Sequence, residues 1–269
     1  MHSTVWHAWW REVRWPVCAF TPLAIVFALT NLDIHIANAL FFDRTDLRWI
    51  GAHNFWIESV LHDGGRWTVR ALVAAAGAVW VAASIDVRVR AWRRPAAYFV
   101  IAAVLSVGIV GLLKTITSVD CPWDLIPFNG RFPIVPLLAV RSSAPHTGHC
   151  FPAAHASSGY ALVALYFAFR ERNRKLARIG LTVGIACGVV FGLAQQARGA
   201  HFMSHDLWSA FLVWSTTAGV YVLGFAQRLH VSSNSGADSG ALGLVRNRLD
   251  AIRRRDSGGS EARPRWNLS

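Results

Sequence analysis

Two short stretches hold most of the histidine chemistry of this chain. One reads HCFPAAHASSGY, residues 149–160, and the other QQARGAHFMSHD, residues 195–206. In the first, Pro152 and two alanines precede His155, a pattern that suits a helix start, where proline loses nothing by lacking an N–H. Backbone N–H groups at such a start, here those of Ala153 and Ala154, can hold an anion. A histidine one turn in could give a proton to a leaving oxygen. In the second stretch Arg198, His201, His205 and Asp206 fall close together. His201 and His205 are four apart, so in a continuous helix they share a face, with Arg198 on the same side. A histidine nucleophile needs a partner to fix its tautomer, and Asp206 or His205 could supply it. Lys114, in GLLKTITSVDCPWD at the end of a third apolar run, adds a cation. Lysine and arginine cradle phosphate. With one histidine attacking phosphorus and another protonating the leaving group, the set suits phosphoryl transfer without a metal or other cofactor. Each residue alone has a plainer reading: a snorkelling lysine, a hydrated helix-end histidine, or two histidines of a zinc site that lacks a third ligand.

The elements that must position these residues are apolar. Of 269 residues, 54% are hydrophobic and only 16% charged, where a soluble domain carries about a quarter charged. Six apolar segments stand out, at 17–32, 67–85, 96–113, 155–169, 179–197 and 207–225. A spanning helix needs about 20 such residues, so the chain reads as an all-α integral membrane bundle of about six transmembrane helices. The stretch TVWHAWWREVRW within residues 1–16 reads as an interfacial segment, residues 17–227 as the membrane domain, and 228–269 as a basic, disordered tail that touches anionic lipid. Ala37-Asn38-Ala39 resembles a signal-peptide cleavage site, but Asp33 and His35 intervene and the run before them is most of a span.

Charge gives the orientation. DVRVRAWRRP (86–95) holds four arginines against one aspartate, and RERNRKLAR (170–178) five basic residues against one glutamate. With the N-terminus and the arginine-rich tail, these segments fall on one side of an alternating bundle, which the positive-inside rule makes cytoplasmic. The connections 33–66, 114–154 and 198–206 then face outward, and both histidine stretches lie there together. The net charge of +12 is accounted for by this topology rather than by nucleic acid. The middles of the six spans carry almost no ionisable residues, which argues against a transporter.

At this point the chain resembles the type 2 phosphatidic acid phosphatase (PAP2) superfamily, which includes acid phosphatases and vanadium haloperoxidases. The resemblance covers roughly residues 17–225 and rests on the motif series K-x6-R-P, P-S-G-H and S-R-x5-H-x3-D. Here Lys114 is followed by Cys121-Pro122, the second motif is Pro152-Ala153-Ala154-His155, and the third has Gln195, Arg198, His201, His205 and Asp206. CPWD, CFPAAHAS and RGAHFMSHDLW look similar to a bacterial membrane subgroup with this variant pattern. The resemblance implies a helical bundle with its site on the outer, periplasmic side of the inner membrane and both termini in the cytoplasm. It implies His201 as the nucleophile of a phosphohistidine intermediate, His155 as general acid, and Lys114 and nearby backbone amides, here those of Ala153 and Ala154, as phosphate ligands; Arg198, off the motif position, could reach the phosphate from a different turn. Arg131 or Arg141 could add charge from the same outer loop. The substrate would be a lipid phosphate or diphosphate, such as undecaprenyl diphosphate, phosphatidylglycerol phosphate, phosphatidic acid or lipid A. The motif departures also admit a protein that keeps the fold and binds lipid without turning it over. Cys121 and Cys150 would lie on the outer side, each beside a motif, where a disulfide could tie the two together.

Overall fold

The computed structural model describes residues 2–135 and 148–226. Arg141 and the basic tail lie outside the described residues. Of what is described, 79% is helical, as expected for an all-α bundle. Helix α1 (His2–Leu29) takes in the tryptophan-rich stretch and the first apolar run without a break, so the residues before 17 do not form a separate interfacial helix. Prolines 16 and 22 stand inside it, each removing one backbone hydrogen bond. Helix α2 (Leu32–Leu40) follows. Wide turns over Trp56–Gly64 feed α3 (Gly65–Ile85), and a tight turn at Val87–Trp92 returns the chain in α4 (Arg93–Thr117). Then come α5 (Ala154–Tyr160), α6 (Ala164–Phe169), α7 (Arg174–Ala197) and α8 (Met203–Tyr221).

Among the described residues, five helical stretches are long and apolar enough to cross a membrane: Val5–Leu29, Trp56–Ile85, Val87–Asp124, Arg174–Ala197 and Met203–Gly224. The expected fourth span, 155–169, differs. It is helical, but as the short α5 and α6 joined by a tighter turn at Ala161–Val163. It packs against α4, α7 and α8 and is mostly buried.

Helix α7 is shaped for that packing. Gly180, Gly184, Gly188 and Gly192 recur every fourth residue, one stripe of its surface. A methyl group on Gly184 would meet the backbone of Val163, and one on Gly188 the ring of Tyr160. Small residues at this spacing let helix backbones approach closely. The approach brings the end of α7 beside His155 at the start of α5. Helix α1 is fastened to α8 by two indoles: Trp9 Nε1–H donates to the Ser215 carbonyl at 3.2 Å, and Trp214 Nε1–H to the Glu12 carbonyl at 3.0 Å.

The two ends of the bundle differ. At one end the two arginine-rich segments meet: Arg172 donates to the Ala91 carbonyl and lies over the Trp92 ring. At the other end the connections build a small apolar cap. Strands β1 (Phe42–Asp43) and β2 (Arg48–Trp49) pair antiparallel with Phe42 opposite Trp49. Both rings pack with Phe128 and Phe202 under α2.

Candidate active site

Beside that cap, α3, α4, α5 and the end of α7 enclose a cavity of about 930 Å³. Lys114, Ala154, His155, Arg198 and His201 all line it, so residues from three separate stretches of sequence face one space. His201 sits just before α8 rather than on it, because Phe202 is extended and the helix begins at Met203. Gly199 makes the sharp entry possible. Its φ is +75°, and a Cβ there would collide with the Trp49 ring at 2.3 Å, so the position requires glycine. Asp33 holds the other flank. Its carboxylate accepts from the Ser204 N–H at 3.0 Å and from the Ser204 hydroxyl at 2.5 Å, capping α8 from another helix.

The expected partner of His201 is corrected. Its Nδ1–H donates to the backbone carbonyl of Cys150 at 2.7 Å. A carbonyl only accepts, so the bond puts the proton on Nδ1 and leaves Nε2 with its lone pair. Asp206 instead turns toward α7, where Gln196 Nε2–H donates to it and Gly192 lies against it. His205 packs edge-on to Phe151 and Phe202, its ring centre 5.8 Å from that of His201. It lines a second cavity between α1, α2 and α8. No helix runs from 201 to 205, so the two histidines do not share a helical face. Burial holds the His201 imidazole well below the ordinary histidine range, reinforced by His205 and Lys114. It is therefore neutral at neutral pH.

The Cys150 carbonyl is itself fixed. Cys150 is joined to Cys121 by a disulfide, and its N–H donates to the Val119 carbonyl at 2.9 Å. The bridge thus ties the end of the Lys114 helix to the group that sets the tautomer of His201.

His155 is buried, its ring stacked on Phe191 and 4.6 Å from it. Its Nε2–H donates to the Leu61 carbonyl at 3.2 Å, and Nδ1 has no partner among the described residues. In the neutral form its only N–H is thereby engaged, so it is better placed to take a proton than to give one. Ala153 is fully buried and does not line the cavity. Its carbonyl accepts from the Ser157 N–H and the Ser209 hydroxyl. Arg198 is steadied by Gln195 Oε1 at 3.2 Å and Glu58 at 3.5 Å. Gln195, at the position of a motif arginine, lines the cavity with an Nε2 that has no partner among the described residues. Arg131 is exposed and is not part of the cavity wall.

Sequence reasoning missed three cationic or titratable side chains. His62, Arg66 and Arg70 line the cavity from the stretch that ends in α3, and the His62 ring lies 4.8 Å from that of His155. The signal was there to find: three such residues at four-residue spacing, at the end of an apolar run where the charge pattern calls for no cations.

The chain belongs to the PAP2 superfamily, whose family model matches residues 95–229, half of the sequence. No curated protein and no solved structure matches it. The matched residues run from α4 through α8 and contain Lys114, His155, Arg198 and His201, while α1–α3 precede them. Proteins of this superfamily are typically phosphoesterases, so phosphatase or phosphotransferase chemistry on phosphate esters is the activity class.

Proposed function

We propose that this protein is a membrane lipid phosphatase or lipid phosphotransferase working through a phosphohistidine on His201. The observation that carries the reading is the buried, neutral His201, held at Nδ1 by the Cys150 carbonyl, in one cavity with Lys114 and Arg198. Nε2 is the attacking atom. Lys114, Arg198 and the amide of Gln195 take the phosphate oxygens, whose charge they stabilise most as the phosphoryl group is transferred. His155 takes a proton from the water, or from the hydroxyl of a second lipid, that relieves His201 of the phosphoryl group. The apolar part of the cavity wall, Val69, Val73, Val104 and Val107, suits a hydrocarbon chain, which supports a lipid substrate over a soluble phosphate ester.

The arginine-rich turns gathered at the far end of the bundle support an orientation with that end in the cytoplasm and the cavity facing outward. The Cys121–Cys150 disulfide is in keeping with an oxidising outer compartment. In a bacterium this is the periplasmic side of the inner membrane. The test is phosphate release by the purified protein in detergent from a panel of lipid phosphates, wild type against His201→Ala. Release by the wild type alone supports the reading. Equal release by both, or none by either, counts against it.

A further inference from the structure

We propose that the cavity is built for a lipid diphosphate, with His201 taking the terminal phosphate and Arg66 and Arg70 holding the second one, next to the hydrocarbon chain. This rests on the reading of the site as a lipid phosphatase or phosphotransferase and narrows its substrate.

Two walls of the cavity order their residues alike. His62, Arg66, Arg70 and Val73 are spaced by four, four and three, one face of a helix, and all line the cavity. On this wall Val69 lies between the two arginines, and past Arg70 only the apolar Val73 and Ala74 follow. The α4 wall runs antiparallel, with Lys114 at the same end and Gly108, Val107 and Val104 behind it. At 1.5 Å per residue, Arg66 and Val73 are about 10 Å apart along the axis, and Lys114 and Val104 about 15 Å. Both walls pass from charged to apolar in the same direction. Both walls thus lead from cations to hydrocarbon, and His201 shares the cavity with the cations. A lipid diphosphate presents terminal phosphate, second phosphate and chain in that order.

The state of the cations points the same way. Among the described residues Arg198 has Glu58 beside it and Arg170 has Glu12, but Arg66 and Arg70 have no carboxylate within ion-pair distance. Arg70 lies over the Trp67 ring at 5.1 Å. Arginines in a membrane-spanning helix are costly and face something that compensates them. A phosphate between α3 and α4 would do so.

The chemistry of the leaving group gives a third argument. Cleaving a lipid monophosphate expels an alkoxide, which needs a proton as it leaves. The one N–H of neutral His155 is already engaged with the Leu61 carbonyl. In a diphosphate, the bond from His201 Nε2 to the terminal phosphorus forms while the bond from that phosphorus to the bridging oxygen breaks. The electron pair stays on the bridging oxygen, and the departing lipid monophosphate is stable as an anion between two guanidinium groups. Water then takes the phosphoryl group from His201, and inorganic phosphate and lipid monophosphate are the products.

The experiment compares a prenyl diphosphate with the prenyl monophosphate of the same chain length, in detergent. It uses wild type, Arg66→Gln/Arg70→Gln, Arg66→Lys/Arg70→Lys, Lys114→Gln and His201→Ala, each checked for folding by thermal unfolding. The wild type should favour the diphosphate in kcat/KM by about tenfold or more. The double glutamine variant should lose most of that ratio, the double lysine variant should restore part of it, and Lys114→Gln should lower both substrates while keeping the ratio. A wild type without preference, or a ratio untouched in the double glutamine variant, overturns the inference while leaving the broader reading in place. Release that persists in His201→Ala, or no release from either lipid, removes the broader reading and this inference with it.

Discussion

The two ends of the bundle use arginine in opposite ways. At the end with the arginine-rich turns, Arg170 is half-buried and fully engaged. Its guanidinium pairs with Glu12 at 2.8 Å and 3.3 Å and sits against the rings of Tyr166, Phe167 and Tyr221. Nothing is left over for a ligand. At the histidine end, Lys114, Arg198, Arg66 and Arg70 face a cavity, and only Arg198 has a carboxylate near it among the described residues. A cation whose charge is spent inside the protein holds helices together. A cation aimed at a space awaits an anion. Composition alone cannot separate the two, and the geometry can.

The comparison can be broken most sharply at His201. His201→Ala is expected to lower phosphate release per folded molecule by about 10³-fold or more, far beyond what the loss of its buried hydrogen bond to Cys150 takes from stability. Lys114→Met should follow, with a loss of about 10- to 100-fold on loss of one charge-assisted phosphate contact. Removing the disulfide by Cys121→Ser/Cys150→Ser should cost up to about 3.6 kcal/mol for a loop of this length. It should also lower kcat, because the carbonyl that orients His201 is no longer anchored; thermal unfolding and steady-state rates on the same sample read both. At the opposite end, Arg170→Met should destabilise by about 1–3 kcal/mol through its lost charged hydrogen bonds yet leave turnover per folded molecule unchanged. A fall in turnover there would erase the distinction between the two ends.

The smallest effect is on pH. His201 is a base held below its ordinary range, so it stays neutral until the pH falls well under about 6.5. The acid limb of kcat/KM that it governs should lie below that value. In the same window the unfolded chain takes up the proton first, so stability should fall as pH drops through about 6.5 and recover as it rises. An acid limb at or above the ordinary histidine value would contradict the burial argument.

The apolar runs were legible because hydropathy reports burial in lipid or protein alike, and for the same reason it did not reveal that 155–169 is covered by protein. That run is apolar because α4, α7 and α8 surround it. Lys114, His155, Arg198 and His201 could be picked out because ionisable residues at the ends of greasy helices are costly and few. The partner of His201 could not. Its acceptor is a backbone carbonyl 51 residues earlier, and no side-chain pattern announces a carbonyl. Nor could spacing show that α8 starts at Met203 and so breaks the helical face assumed for His201 and His205. Arg66 and Arg70 were hidden in plain view, at the edge of an apolar run where they read as boundary residues.

The most direct test of the central claim is to trap the intermediate. Purified protein would be mixed with a lipid phosphate radiolabelled at its terminal phosphate, quenched in base within the first turnover, and mapped. The account predicts an acid-labile, base-stable phosphoryl group on His201, absent from His201→Ala. Turnover with no labelled protein, or label on His155 or another residue, would contradict it.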